Sequence, residues 1–504
     1  MPISCIKKIL NSPVYDVAVE TPIDEMKRLG KVIGNRVLLK REDLQPVFSF
    51  KIRGAYCKIA ILSDEEKARG VIAASAGNHA QGVALAASRL GIESTIVMPT
   101  TTPEIKVISV RELGGKVILH GDNFDEACAY ATSLVDKKGY VFIHPYDDVD
   151  VIAGQGTIGM EIMRQYSGSL HAVFIPVGGG GLIAGVASYI KYLRPDIKII
   201  GVEHDESACL FAAMKKGRRV VLPKVGIFAD GVAVKQIGKE PFRLARQCVD
   251  EVITVSTDEI CAAIKDIFDD TRSISEPAGA LGLAGLKKYA AREKLKKETL
   301  MTIESGANVN FDRLRDISER AEVGEQREAI FAVIIPERPG SFKTFCKTIG
   351  MHNITEFNYR YSDPEQAHVF VGLELKPGRD DRHELIRRLE KRGYPVYDLT
   401  DNELAKMHIR HMVGGHASHV TNEVLYRFQF PERPGALLNF LTSMGQRWNI
   451  SMFHYRNHGS AYGRVFLGLQ VPDNEKKQLQ ECLKKLGHYY SEETGNPAYR
   501  LFLS

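Results

Sequence analysis

The sequence predicts an α/β protein, with one large unit on a mostly parallel sheet followed by two small α+β units of ferredoxin-like order. Two observations predict it. Over the first 320 residues, short β-branched runs alternate with helical patterns. Strands separated by helices need crossover connections and a parallel sheet covered on both faces. Beyond residue 320 an internal repeat appears, spaced by 95 to 96 residues.

The predicted strands of the large unit are Val37–Lys40, Val71–Ser75, Thr95–Met98, Lys116–His120, Ala172–Val177, Ile197–Glu203 and Leu300–Ile303. Amphipathic or Ala-rich stretches such as Ala80–Leu90 and Phe124–Lys137 lie between them as helices. Residues 318–329, SERAEVGEQREA, are polar enough to read as a connector. In the repeat, Pro336-Glu337-Arg338-Pro339-Gly340 returns as Pro431-Glu432-Arg433-Pro434-Gly435. Asn353-Ile354-Thr355 with Phe357-Asn358-Tyr359-Arg360 returns as Asn449-Ile450-Ser451 with Phe453-His454-Tyr455-Arg456, and Val369-Phe370-Val371-Gly372-Leu373 as Val465-Phe466-Leu467-Gly468-Leu469. Each copy reads strand, Pro-Gly turn, helix, strand, strand, helix, strand. The expected domains are residues 1–320, 328–402 and 423–504.

Composition excludes several function classes. Lys and Arg total 67 against 62 Asp and Glu, and a net charge of +5 over 504 residues gives no nucleic-acid footprint. There is no apolar run long enough to span a membrane, and MPISCIKKIL does not read as a secretory or transit signal. The eight cysteines are scattered with no C-x-x-C pair, as expected of free thiols in the cytoplasm. His408, His411, His416 and His419 resemble a metal cluster, but Gly414-Gly415 breaks any single helix through them and no cysteine is near. The expectation is an inter-repeat linker and no metal.

Four segments carry chemistry. In Ser49-Phe50-Lys51-Ile52-Arg53-Gly54-Ala55, a lysine follows an aromatic and opens a helix running to about Leu62. An imine-forming lysine must be partly neutral near pH 7, which burial favours, although an ordinary solvated helix start has the same look. Ser75-Ala76-Gly77-Asn78-His79 lies between a strand and a helix; its free amides suit a carboxylate, and equally a plain helix cap. Val177-Gly178-Gly179-Gly180-Gly181-Leu182 lets backbone close around a phosphate at a helix start. A dinucleotide is an alternative there, with Glu203 as ribose ligand, although the run is not a clean G-x-G-x-x-G. Glu304-Ser305-Gly306-Ala307-Asn308 directly follows a strand, and its hydroxyl can meet a ring nitrogen. In Ser275-Glu276-Pro277, Glu276 precedes a helix whose first position suits proline, so a cap is expected, with an approach to substrate as the alternative.

Taken together these motifs resemble the tryptophan-synthase-β-like pyridoxal phosphate enzymes, and among them the biosynthetic threonine dehydratases. The resemblance spans the chain through KREDLQPVFSFKIRGAY, ASAGNHAQGVA, VGGGGLIAGV, SEPAGALGLAG, SGANVNF and both C-terminal repeats, which are similar to ACT-like regulatory domains. It implies a fold type II catalytic unit of two three-layer α/β subdomains. Lys51 would be the Schiff-base lysine and would take the α-proton. Phe50 would pack near the cofactor ring and Asn78 would bond its phenolic oxygen. Gly178, Gly179, Gly180, Gly181 and Leu182 would cradle its phosphate, and Ser305 would face its ring nitrogen. Backbone groups of Ser75, Ala76, Gly77, Asn78 and His79 would receive the substrate carboxylate. Glu304 departs from the family pattern, and a carboxylate there is expected to tune the Ser305 hydrogen bond. Related racemases carry a serine where this chain has Ala76, so elimination without racemisation is expected. None of these motifs offers an obvious carboxylic acid to protonate the departing hydroxyl, so the bound cofactor phosphate is expected to donate that proton.

The implied substrate is L-threonine, with some L-serine, and the implied effectors are isoleucine as inhibitor and valine as antagonist, with Tyr359 and Tyr455 as matched effector contacts. A homotetramer is the family expectation. The rival readings are a serine- or cysteine-forming relative, a nicotinamide-linked oxidoreductase using the Gly178 loop, and a catalytically dead amino-acid-binding regulator.

Overall fold

Strand segments that are buried along their whole length dictate the architecture. All of Val71–Ala74, Ser94–Met98 and Ala172–Pro176 are buried, as parallel strands with both faces covered must be. A computed structural model describes residues 3–324, 327–336, 341–350, 352, 354–359, 365–375, 381–411, 420–431, 447–456 and 462–502; at 322–323, 342–343, 356, 358–359, 411, 430–431, 453–456 and 463 it describes the backbone alone. The chain divides into two units, Met1–Ala321 and Glu322–Ser504.

The first unit holds two sheets. The larger has the order Ile23–Glu25, Arg36–Arg41, Thr299–Glu304, Ala172–Pro176, Lys198–His204, Glu251–Val255. It is parallel except for its first pair. The smaller is wholly parallel, in the order Lys116–Leu119, Ser94–Met98, Val71–Ala74, Val141–Phe142. Every strand expected from sequence is present within two residues. Three strands were not expected. Ile23–Glu25 and Val141–Phe142 are too short to carry a pattern, and Glu251–Val255 opens with an acid; their neighbours in the sheet recruit them.

The helix Lys51–Ala60 is pressed between two others through glycines. A Cβ on Gly154, in helix Val149–Gln165, would sit 2.6 Å from the Arg53 carbonyl oxygen, and one on Gly82, in helix Asn78–Arg89, 3.1 Å from the Lys51 carbonyl. A buried network anchors the same helix. The Arg53 guanidinium pairs with Glu42 at 2.7 Å and with Glu161 at 2.6 Å, and Lys40 Nζ reaches Glu161 at 2.6 Å. All four side chains are fully buried, two of each sign. Removing one member would leave an uncompensated buried charge.

The boundary between the two units falls within residues 318–329, as expected of a connector, but the stretch is not irregular. The helix Leu314–Gly324 runs through most of them and the next strand starts at Glu328. Arg315 pairs with Glu319 and Arg320 with Asp258, while Ile317 and Ala321 are buried in the first unit's core.

The second unit contains the two repeats. The first sheet has the order Ile354–Tyr359, Gln366–Glu374, Glu328–Pro336, Val396–Asp398; the second has Asn449–Arg456, Tyr462–Gln470, Glu423–Pro431, Tyr489–Glu492. Both are antiparallel and share one topology, as the repeat predicts. Helices Ser341–Ile349, Asp381–Lys391 and Lys476–Leu486 fill their expected places. The Pro-Gly turns at 337–340 and 432–435 lie outside the described residues, as does the first helix expected in the second copy.

The stretch after the first repeat is more than a linker. Helix Glu403–Met407 and the turn Ile409–His411 send Leu404, Ala405 and Ile409 into a core shared with Ile330 of the first sheet and Leu425 of the second. His408 is buried there, His416 and His419 lie outside the described residues, and no metal-binding group occurs among the described residues. All eight cysteines are free thiols. Among the described residues no helix is long and apolar enough to cross a membrane.

Candidate active site

Lys51 is the first residue of its helix, behind Phe50 at the N-cap. Backbone pairing sets it beside the Ser305 turn. Ser49 bridges Gly306, the Phe50 amide donates to the Ser305 carbonyl at 3.2 Å, and the Ala307 amide donates to the Phe48 carbonyl at 2.9 Å. Strand Thr299–Glu304 thereby delivers Ser305 to the lysine. Lys51 Nζ donates to the Pro145 carbonyl at 3.1 Å and stands 5.3 Å from the centre of the Phe50 ring. Part of its side chain faces the cavity, but protein encloses the amine. Burial lowers its pKa to about 8, and the Glu276 carboxylate offsets part of that effect. An appreciable fraction is therefore neutral near physiological pH.

Lys51, Phe50, Asn78, the run Gly178–Leu182 and Ser305 line a single cavity. Segments hundreds of residues apart in sequence thus meet as expected. The glycine run leaves strand Ala172–Pro176 and opens helix Gly181–Leu193, whose first amides have no intrahelical acceptor. Gly180 has φ +90°, which a side chain would strain, and a Cβ on Gly179 would collide with the Tyr146 ring. The run is therefore a backbone-only cradle, and it fits a phosphate. An amine, a phosphate cradle, an aromatic wall, an amide and a hydroxyl in one cavity fit pyridoxal phosphate.

The Asn78 side chain does not cap its helix. Its Nδ2 donates to Glu276 Oε1 at 2.5 Å, and its Oδ1 accepts from Asn308 Nδ2 at 2.6 Å. That network sets which way the amide points and leaves Nδ2 one hydrogen for a ligand. Ser305 Oγ donates to the Ala278 carbonyl at 3.3 Å.

The Ser75–His79 stretch divides. Ser75, Ala76 and Gly77 form the turn from strand to helix; the Ser75 amide donates to the Val97 carbonyl and the Gly77 amide to Ser75 Oγ at 3.3 Å. His79 is buried, with Nε2 2.8 Å from the Ile143 carbonyl oxygen. Burial and then the nearby Lys51 charge lower its pKa to about 3, so the ring is neutral. Of these five residues only Asn78 lines the cavity.

Three expectations change. Glu304 does not join the Ser305 hydrogen bond; it is buried outside the cavity, 3.2 Å from Arg41 Nε. Glu203 is not open to a ribose, because its carboxylate is buried and accepts the Leu210 and Phe211 amides at 2.8 and 2.7 Å. Glu276 holds the N-cap position of helix Pro277–Arg292 but makes no side-chain cap; its carboxyl turns into the cavity. Glu276 thus takes the alternative that the sequence left open, an approach to the cavity, and Tyr146 is among the lining residues that no motif marked. The Ser-Glu-Pro signature marked the first, as a cap with an approach to substrate as the alternative. Nothing local marks the second.

Tyr359 and Tyr455 hold matched backbone positions, opposite Val369 and Val465, and their side chains lie outside the described residues.

The family model of pyridoxal-phosphate-dependent enzymes matches residues 14–306, and that of the C-terminal regulatory domain of threonine dehydratase matches residues 319–409 and 414–503. The biosynthetic L-threonine dehydratase of Burkholderia multivorans is 54% identical over 99% of this chain and 99% of its own. The processed form of threonine deaminase isoform 2 from Solanum lycopersicum superposes with a TM-score of 0.63 at 50% identity, over 64% of this chain and 88% of that one. The threonine deaminase from T.th. does so with a TM-score of 0.57 at 37% identity, over 61% of this chain and 99% of that one. The chain belongs to the pyridoxal-phosphate-dependent enzyme family, in the branch that carries the threonine dehydratase regulatory domain twice.

Proposed function

We propose that this protein converts L-threonine to 2-oxobutanoate and ammonia, as the first step of isoleucine synthesis, with some activity on L-serine. The observation that carries the reading is the convergence of Lys51, Asn78, the glycine run and Ser305 on one cavity. The match to threonine dehydratases along the whole chain supports threonine as substrate.

Pyridoxal phosphate, when bound, supplies an aldehyde that takes up an amine and a ring that spreads the charge left by the α-proton. Lys51 anchors it and, once freed by the substrate amine, takes the α-proton; the lowered pKa keeps neutral amine available for this. Gly178, Gly179, Gly180, Gly181 and Leu182 hold the phosphate through backbone amides, and Phe50 packs against the ring. Asn78 donates its free hydrogen to the phenolic oxygen. Ser305 faces the ring nitrogen, and a neutral hydroxyl leaves that nitrogen largely unprotonated. Unpaired amides at the start of helix Asn78–Arg89 receive the substrate carboxylate. Loss of water from threonine leaves an enamine, and its hydrolysis releases ammonia and the 2-oxo acid.

The catalytic domain is residues 1–320, and the regulatory domains are 328–402 and 423–504. Isoleucine inhibits by binding the regulatory pair, valine opposes it, and Tyr359 and Tyr455 contact the effectors; the regulatory-domain match supports an effector site. The protein works as a homotetramer in the cytoplasm, where its scattered free thiols stay reduced.

Formation of 2-oxo acid from L-threonine, followed with and without isoleucine, tests the activity and its control. Lys51→Ala is expected to lower turnover by at least ~10³-fold, because one side chain is both anchor and base. Near-normal activity of that variant would refute the assignment.

A further inference from the structure

Elimination from threonine needs a proton on the departing hydroxyl, because hydroxide is a poor leaving group. Among the described residues the cavity contains three titratable side chains, Lys51, Tyr146 and Glu276. The sequence assigns this proton to the cofactor phosphate, and the cavity's own side chains offer another source. Lys51 is committed to the α-proton. Burial pushes the Tyr146 phenol up to about 12, which makes it a weak donor near neutrality. Glu276 is the carboxyl of the three.

Several contacts aim it there. The Glu276 amide donates to the Gly306 carbonyl at 3.1 Å, which ties its backbone to the Ser305 turn. Its Oε1 accepts from Asn78, whose amide Asn308 orients in turn. A Cβ on Gly306 would stand 2.8 Å from Oε1, so glycine there leaves the carboxyl its room. The residue is only 5% exposed and its side chain supplies no helix cap. A buried carboxyl that serves neither as cap nor in a salt bridge is costly unless it is used.

We propose that Glu276 is the catalytic acid that protonates the β-hydroxyl as it leaves, a reading that rests on the threonine dehydratase function above. The carboxyl O–H bond breaks and a new O–H bond forms on the β-oxygen. The Cβ–O electron pair departs with that oxygen as water, and the pair left on Cα closes the carbon–carbon double bond. Glu276 ends as carboxylate and Lys51 as ammonium, and proton exchange between them through solvent restores both. Asn78 is the positioning residue for the acid. The protonation state agrees with this role. Burial first, then the Asp230 charge, raise the Glu276 pKa to about 7, against the pull of Asn78, Lys106 and the Asn308 amide. A large share is therefore protonated at neutral pH.

The test compares Glu276→Gln with the parent on L-serine and on β-chloro-L-alanine, which share a skeleton but differ in whether the leaving group needs a proton. Turnover of L-serine and L-threonine is expected to fall by ~10²–10³-fold, while chloride elimination stays within about threefold of the parent. Uptake of pyridoxal phosphate by the cofactor-free variant, followed by absorbance, is expected to match the parent. Equal losses on both substrates, no loss on L-serine, or failed cofactor uptake would each overturn the proposal. Should the glutamine variant not fold, Glu276→Asp carries the same comparison, and the same selective loss, smaller in size, is expected of it; an equal loss on both substrates again overturns the idea. A parent enzyme inert towards threonine would instead sink the functional reading.

Discussion

At the scale of single residues, the buried amine of Lys51 has a measurable consequence. Its folded pKa, about 8, lies below its ordinary value of 10.5. Between those values the unfolded chain binds more protons, so this group makes the cofactor-free fold gain stability as pH rises from 8 to 10.5. Below pH 8 the penalty is complete. Cofactor-free Lys51→Met is therefore expected to exceed the parent in stability by a margin that is about 3 kcal/mol larger at pH 7 than above pH 10.5. Urea unfolding at both pH values measures it, and a margin that does not change with pH would contradict the burial of the amine. Ala76 carries a second prediction. Alanine has no proton to give to the opposite face of Cα, so the purified protein should form no D-serine from L-serine and no D-allothreonine from L-threonine, and chiral chromatography of the reaction mixture reads this directly. Lys51, Asn78 and Ser305 were legible in sequence because each sits in a short motif of small residues beside a predicted strand or helix start. Tyr146 was not, since no local motif marks it and its place against Gly179 and in the cavity wall comes from the fold.

At the scale of elements, the glycine run illustrates what a pattern can and cannot say. Four consecutive glycines between strand and helix announced backbone exposed to an anion, and strand Ala172–Pro176 and helix Gly181–Leu193 flank them as expected. The identity of the neighbour that forbids side chains there, Tyr146, came only with the fold. Gly179→Ala would drive a methyl group into that ring. It is expected to weaken pyridoxal phosphate binding at least ~10-fold, since the ring or the loop must move. Titration of cofactor-free protein by absorbance checks this, and unchanged affinity would show that the cradle tolerates the shift. Helix Lys51–Ala60 was readable as a helix, but its anchorage was not. The Arg53, Glu42, Glu161 and Lys40 network joins four elements, and nothing in the local sequence distinguishes those charges from solvated ones. The charged stretch at 318–329 does hold the boundary between the units, but the helix through it was not legible, because the apolar partners of Ile317 and Ala321 lie elsewhere in the chain.

At the scale of the molecule, the chain divides after Ala321, and the match to the family model of pyridoxal-phosphate-dependent enzymes, residues 14–306, lies wholly in the first unit. A chain ending at Gly324 keeps helix Leu314–Gly324 and its buried Ile317 and Ala321. It is expected to retain threonine turnover and to lose inhibition by isoleucine, measured as turnover against effector concentration. Persistent inhibition would place the effector site in the catalytic unit. By itself the sequence determined the class of both units, the repeat and its topology, and the lysine, amide, glycine and serine motifs. Such features are written in periodicity and in residues whose backbone needs are local. Tertiary structure alone decided what those motifs face. It turned Glu276 from a helix cap into a cavity acid, buried the side chains of Glu203 and His79 outside the cavity, and pointed Glu304 towards Arg41. The direction of a side chain depends on contacts between segments far apart in the chain, and no local pattern encodes them.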